Sequence, residues 1–139
     1  MLRIKKELVP LYGGDKNKGF VHTVLVDEKG YIDLIKHIDK DDTVTSEFNP
    51  YPPFTHFSGF AYQRTHKKGW NDWWVVFPYT KGCSININVI SHEALHITRM
   101  ILDSRGVIFD ANNDEPYTYM QGWVTQSICK GLPKNIIKL

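Results

Sequence analysis

The 139-residue sequence predicts a single α+β domain, and two features of its patterning predict it. The first half is dominated by short apolar runs separated by Gly and Pro turns, interrupted by one stretch at helical spacing. From about Val89 the apolar period changes to that of a helix and stays so almost to the end. The expected architecture is a mostly antiparallel sheet with one short helix in the N-terminal half, followed by two C-terminal helices. The single domain is expected to cover residues 1–139.

Taken in order, Leu2 to Leu11 reads as a strand ending at the Gly13-Gly14 turn. Gly19 to Val26 (GFVHTVLV) reads as its partner, with Asp15 to Lys18 as a hairpin-like loop. Tyr31, Leu34, Ile35 and Ile38 recur at helical spacing, which predicts a helix over Glu28 to Ile38. Asp39 to Gly59, with Pro50, Pro52 and Pro53 among aromatics (FNPYPPFTHF), predicts an ordered loop. Phe60–Thr65, Trp73–Tyr79 and Ser84–Val89 are strand candidates, divided by Gly69 and the Pro78-to-Gly82 turn. The last of them alternates strictly as Ser-Ile-Asn-Ile-Asn. A helix from Val89 to about Ser104 should stop at Gly106. A second should open at Asn112-Asn113-Asp114, all good N-cap residues, with Pro116 in its first turn, and run to about Lys130.

Composition narrows the function. A hydrophobic fraction of 42% and a charged fraction of 23% are those of a globular chain. The net charge of +2 is too small to argue for nucleic acid, and the lysines at 16–18 and 66–68 read as solvated loops. Apolar runs fall short of the ~20 residues needed to span a bilayer, and the N-terminus lacks the apolar core of a secretion signal. Cys83 and Cys129 have no metal-type spacing. The expectation is a cytoplasmic protein with neither nucleic acid nor membrane as partner.

The chemistry concentrates in SHEALHITRM. On a helical wheel Ile90, Ala94, Ile97 and Ile101 form one stripe, while His92, His96, Arg99 and Asp103 form the opposite one. Histidines four apart lie one turn apart, close enough to aim imidazole nitrogens at a shared ion such as Zn²⁺. Glu93, offset by one residue, can approach a water beside that ion and accept its proton as it attacks a carbonyl. A catalytic zinc usually holds a third protein ligand. Glu115 in NDEPYTYMQGW is the candidate, with residues 97 to 114, eighteen in all, between it and His96.

His92-Glu93-Ala94-Leu95-His96, eighteen residues and Glu115 resemble the gluzincin metallopeptidases, including the zinc aminopeptidases, over roughly Val89 to Ile128. The wider wording, with its glycine turn and DEPYTYMQGW, is similar to small zincin-like proteins encoded by phages and prophages. The resemblance implies a zincin-like fold and a zinc-dependent peptidase-like hydrolase with a peptide or protein substrate. His92, His96 and Glu115 would be the ligands and Glu93 the general base. It also implies a host-cytoplasmic or virion setting, and its alternative is a non-enzymatic phage interaction module with a structural or vestigial metal site. Many gluzincins carry an aspartate four residues after the third ligand; here Tyr119 stands there. Tyr119 is thus a candidate to stabilise an oxyanion, and Asp103 or Tyr119 to orient a ligand. The large specificity domains of the aminopeptidases have no counterpart. In zincins an edge strand beside the active-site helix often binds the peptide, and Ser84–Asn88 or Trp73–Tyr79 are the candidates for it.

The remaining histidines, His22, His37, His56 and His66, read as structural. The aromatics Trp70, Trp73, Trp74, Phe77 and Tyr79 are expected to pack a core, with a substrate-facing wall as the alternative.

Overall fold

The computed structural model describes residues 1–10, 18–41, 44–46 and 51–139. The Gly13-Gly14 turn, Asp15 to Asn17 of the loop after it, and Pro50 lie outside the described residues.

Five strands form one sheet: β1 (Leu2–Leu8), β2 (Phe20–Val26), β3 (Val44–Ser46), β4 (Phe60–His66) and β5 (Asn71–Pro78). Their spatial order is β1-β2-β5-β4-β3. Three of the ladders are antiparallel, and the central β2–β5 pair is parallel, with Val21 opposite Trp73 and Val26 opposite Pro78. The parallel pair requires a crossover, and α1 (Glu28–Asp39) lies on it. Asp27 caps that helix by accepting from the Gly30 amide at 2.8 Å.

The sheet is covered on both faces, which explains why β2 and β5 are apolar almost throughout. On one face Val24, Val26, Trp74 and Val76 pack with Tyr31, Leu34 and Ile38 of α1. On the other, Val21, Leu25, Trp73, Val75 and Phe77 pack under α2 (Ile87–Ser104) and α3 (Glu115–Gly131). Strand alternation therefore divides the tryptophans: Trp73 enters one core and Trp74 the other. The α3 end sits so close to the sheet that a Cβ on Gly131 would fall 2.6 Å from Thr23 Cβ. Short strands β6 (Ile85–Asn86) and β7 (Ile137–Lys138) pair in parallel as a separate ribbon.

The α+β architecture is as expected, with three differences. The alternating Ser84–Val89 stretch is a strand for only two residues, because Asn86 caps a helix there: its Oδ1 accepts from the Asn88 amide at 2.8 Å. Among its described residues, the loop at 39–59 contains β3 and a 3-10 turn at Phe54–His56. Asp114 occupies the N-cap of α3 without a side-chain capping bond. The turn before it is held instead by Asp110, whose carboxylate accepts from the Asn112 amide at 2.9 Å. Gly106 ends α2 as expected, at φ 71° with the Val107 amide donating to the Leu102 carbonyl.

The described histidines outside α2 include two built into the sheet. His66 ends β4, buried, with Nε2 3.2 Å from Asp72 Oδ2 and its ring stacked on Trp70. His22 stacks on Trp74 at 3.9 Å, and burial pushes its pKa down to about 4, against the opposing pull of Asp72 and the Trp73 carbonyl. The folded chain thus holds His22 neutral where the unfolded chain would protonate it. Stability is fully present above pH 6.5 and falls as pH drops toward 4. The loss should be on the order of 2–3 kcal/mol, and His22→Gln should flatten it. Urea unfolding of both chains at pH 7, 5.5 and 4.5 measures it; an equal slope in the variant would refute the assignment.

Candidate metal centre

The helix α2 presents its two stripes as the wheel requires. Ile90, Ala94, Ile97 and Ile101 are buried in the main core, while His92, His96, Arg99 and Asp103 are exposed. Leu95 does not join the buried side; it is 53% exposed, whereas Leu102 is buried. A polar link fixes α2 against α3: Gln121 Nε2 donates to the Ser91 carbonyl at 3.4 Å, and Gln121 Oε1 lies 3.1 Å from Thr98 Oγ1.

His92 and His96 converge. Their Nε2 atoms are 3.2 Å apart, with the rings at 76°; which nitrogen carries the proton depends on tautomer. An ion held tetrahedrally by two imidazoles at roughly 2.0–2.1 Å would set those nitrogens about 3.3 Å apart. The donor pair fits zinc. Glu93 is only 5% exposed, with Oε1 4.0 Å from His92 Nε2. Burial raises its pKa, and the His96 and His92 rings partly counter that. Its stem lies against the backbone at the start of β4. A Cβ on Gly59 would sit 3.2 Å from Glu93 Cγ and 3.1 Å from the Phe77 ring, so this approach requires glycine or a shift of its neighbours.

These groups line a cleft of about 520 Å³ bounded by Gly59, Phe60 and Ala61 on one side and by His92, Glu93, His96, Arg99, Met100 and Asp103 on α2. The strand beside the motif helix is therefore β4. Trp73–Tyr79 is not an edge, because β5 lies between β2 and β4. Strand β4 is itself flanked by β3, but at its far end, with Val44 opposite His66 and Ser46 opposite Thr65, while its start lines the cleft. Ser84–Asn88 is excluded because it has become a helix start after a two-residue strand. Gly59 and Ala61 were not legible as site residues: a glycine before a strand is an ordinary punctuation mark until the helix that meets it is known.

Two further candidates lie elsewhere. Glu115 is the first residue of α3, exposed, and outside the cleft lining. Among the described residues, no group of three His, Cys, Asp or Glu side chains stands close enough together to hold a metal. Tyr119 is 57% exposed and lines a different groove, with Val9, Leu102 and Met120. Asp103 does line the cleft, but seven residues after His96 it stands roughly 10 Å further along the helix axis. Cys83 and Cys129 are free thiols.

The fold and the site together define an α+β chain that sets a histidine pair and a buried glutamate from one helix against the start of a sheet strand. No protein-family model, curated protein or solved structure matches it. Among the described residues no helix is long and apolar enough to cross a membrane.

Proposed function

We propose that the chain is a zinc-dependent, peptidase-like hydrolase on a zincin-like scaffold, with His92, His96 and Glu115 as ligands and Glu93 as general base. The observation that carries this reading is the 3.2 Å approach of the two Nε2 atoms beside a buried carboxylate. Zinc bound there would acidify a water and polarise the scissile carbonyl. Glu93 accepts the proton of the attacking water and returns it to the leaving amine. Burial raises its pKa, which makes it a stronger base for the first of these transfers. The start of β4 forms the wall along which an extended peptide would lie. Tyr119, facing another groove, has no part in this proposal.

Elemental analysis tests the ligand set. The purified chain is expected to carry about one zinc, and His92→Ala, His96→Ala and Glu115→Ala to lose most of it. Stoichiometric zinc in both His92→Ala and Glu115→Ala would overturn the assignment.

A second reading is favoured by one observation, the exposed position of Glu115 outside the cleft. It makes the chain a phage or prophage interaction module with a structural or vestigial site. A zinc-dependent rise in melting temperature without cleavage of any member of a peptide library would favour it.

A further inference from the structure

Beside the histidine cleft lies a second concavity that the hydrolytic reading leaves without a role. It is a groove of about 640 Å³ between α2 and α3, floored by Leu95, Tyr117 and Gln121 and rimmed by Ile108 and Phe109. Three of its apolar side chains face water: Leu95 is 53%, Ile108 84% and Phe109 58% exposed. Phe109 stands edge-on to Tyr117, with ring centroids 5.1 Å apart. An apolar surface gathered in a concavity, rather than scattered, is the usual sign of a binding groove.

What occupies it follows from where it opens. Arg99 and Asp103 line both this groove and the histidine cleft, so the two adjoin along one helical turn of α2. Leu95 is itself the residue before His96. A chain lying in the cleft along β4 would pass over Arg99 directly into the groove. No ion pair holds Arg99 among the described residues, which leaves its guanidinium available to main-chain carbonyls at the crossing. The volume is that of a site for a drug-sized ligand, larger than one side chain requires.

We infer that the α2–α3 groove seats an apolar segment of the polypeptide substrate, two adjacent bulky side chains long, displaced by a few residues from the bond held in the cleft. The inference rests on the hydrolytic reading for the identity of the cleft. It adds a substrate class: chains with a paired apolar motif beside the cleavage point, recognised away from the reacting atoms.

The test uses the full chain carrying Glu93→Gln and fluorescein-labelled decapeptides containing either Leu-Phe or Ser-Ser at one position, read by polarisation. The Leu-Phe peptide is expected to bind about tenfold more tightly, as partial burial of two apolar side chains predicts. Ile108→Asp with Phe109→Ser, both in the exposed connection, should remove that difference, and Leu95→Gln should reduce it. Retention of the native melting temperature shows that a loss is local. Equal affinity for the two peptides, or a preference that survives Ile108→Asp/Phe109→Ser, overturns the inference. So does a concentration-dependent dimer that Leu95→Gln dissociates without changing peptide binding, since the groove then serves a second copy. The zinc-loaded chain with Glu93 intact is assayed on the same peptides. Apolar-selective binding without cleavage sinks the hydrolase and keeps the groove, whereas cleavage indifferent to Leu-Phe does the reverse.

Discussion

Glu93→Gln is expected to abolish hydrolysis while keeping the metal. The amide is nearly isosteric, so the helix and the approach of Gly59 are preserved, yet it cannot accept a proton. Loss of a positioned general base costs about 10²–10⁴-fold in rate. The same substitution removes a carboxylate that burial makes costly to ionise, so the metal-free variant should melt higher than the native chain at pH 7 and equally at a pH low enough to protonate Glu93. A buried acid with a raised pKa destabilises the fold as pH rises past the ordinary glutamate range, and the amide carries no such penalty. The two readouts are independent. Undiminished turnover of a verified substrate would remove Glu93 from the chemistry, and an unchanged melting temperature would remove the burial argument.

Trp73→Ala should be the most damaging single change to the fold. Trp73 is fully buried between the sheet and the two C-terminal helices, and its Nε1 donates to Gln63 Oε1 at 2.8 Å. Truncation leaves a cavity beneath α2 and α3 and is expected to cost about 3–5 kcal/mol. Against a typical total of roughly 5–15 kcal/mol, that removes between about a fifth and all of the fold's stability. Urea titration at 25 °C checks it, with Trp70→Ala as the comparison. Trp70 only half-buries a face against His66 and should lose much less. Equal losses would show that the aromatic residues do not partition between core and periphery as the strand alternation requires.

The elements with strong periodicity were legible in the residues. The β2 and β5 runs, α1, the two stripes of α2 and the Gly106 stop all form as their patterns require, because each depends on local geometry and on one apolar face. Boundaries decided by competition were not. Asn86 can continue an alternating strand or cap a helix, and the capping bond to Asn88 wins because the following residues bury a helical stripe. The tryptophan group reads as one cluster in sequence and is two in space, since neighbouring strand residues face opposite layers.

The histidine pair and its acid were equally legible, because four residues is one helical turn whatever surrounds it. What the chain order could not convey is which strand would meet that helix. The crossover at α1 puts β5 beside β2 and leaves β4 over the motif, an outcome of sheet pairing between residues some fifty apart. Glu115 shows the same divide. Eighteen residues of spacing can be counted along the chain, but the direction of its carboxylate depends on how α3 docks through Gln121, Thr98 and Ser91. Short-range spacing is set by backbone geometry alone, whereas the walls of the cleft and the groove beside it exist only once distant segments have buried their apolar faces against one another.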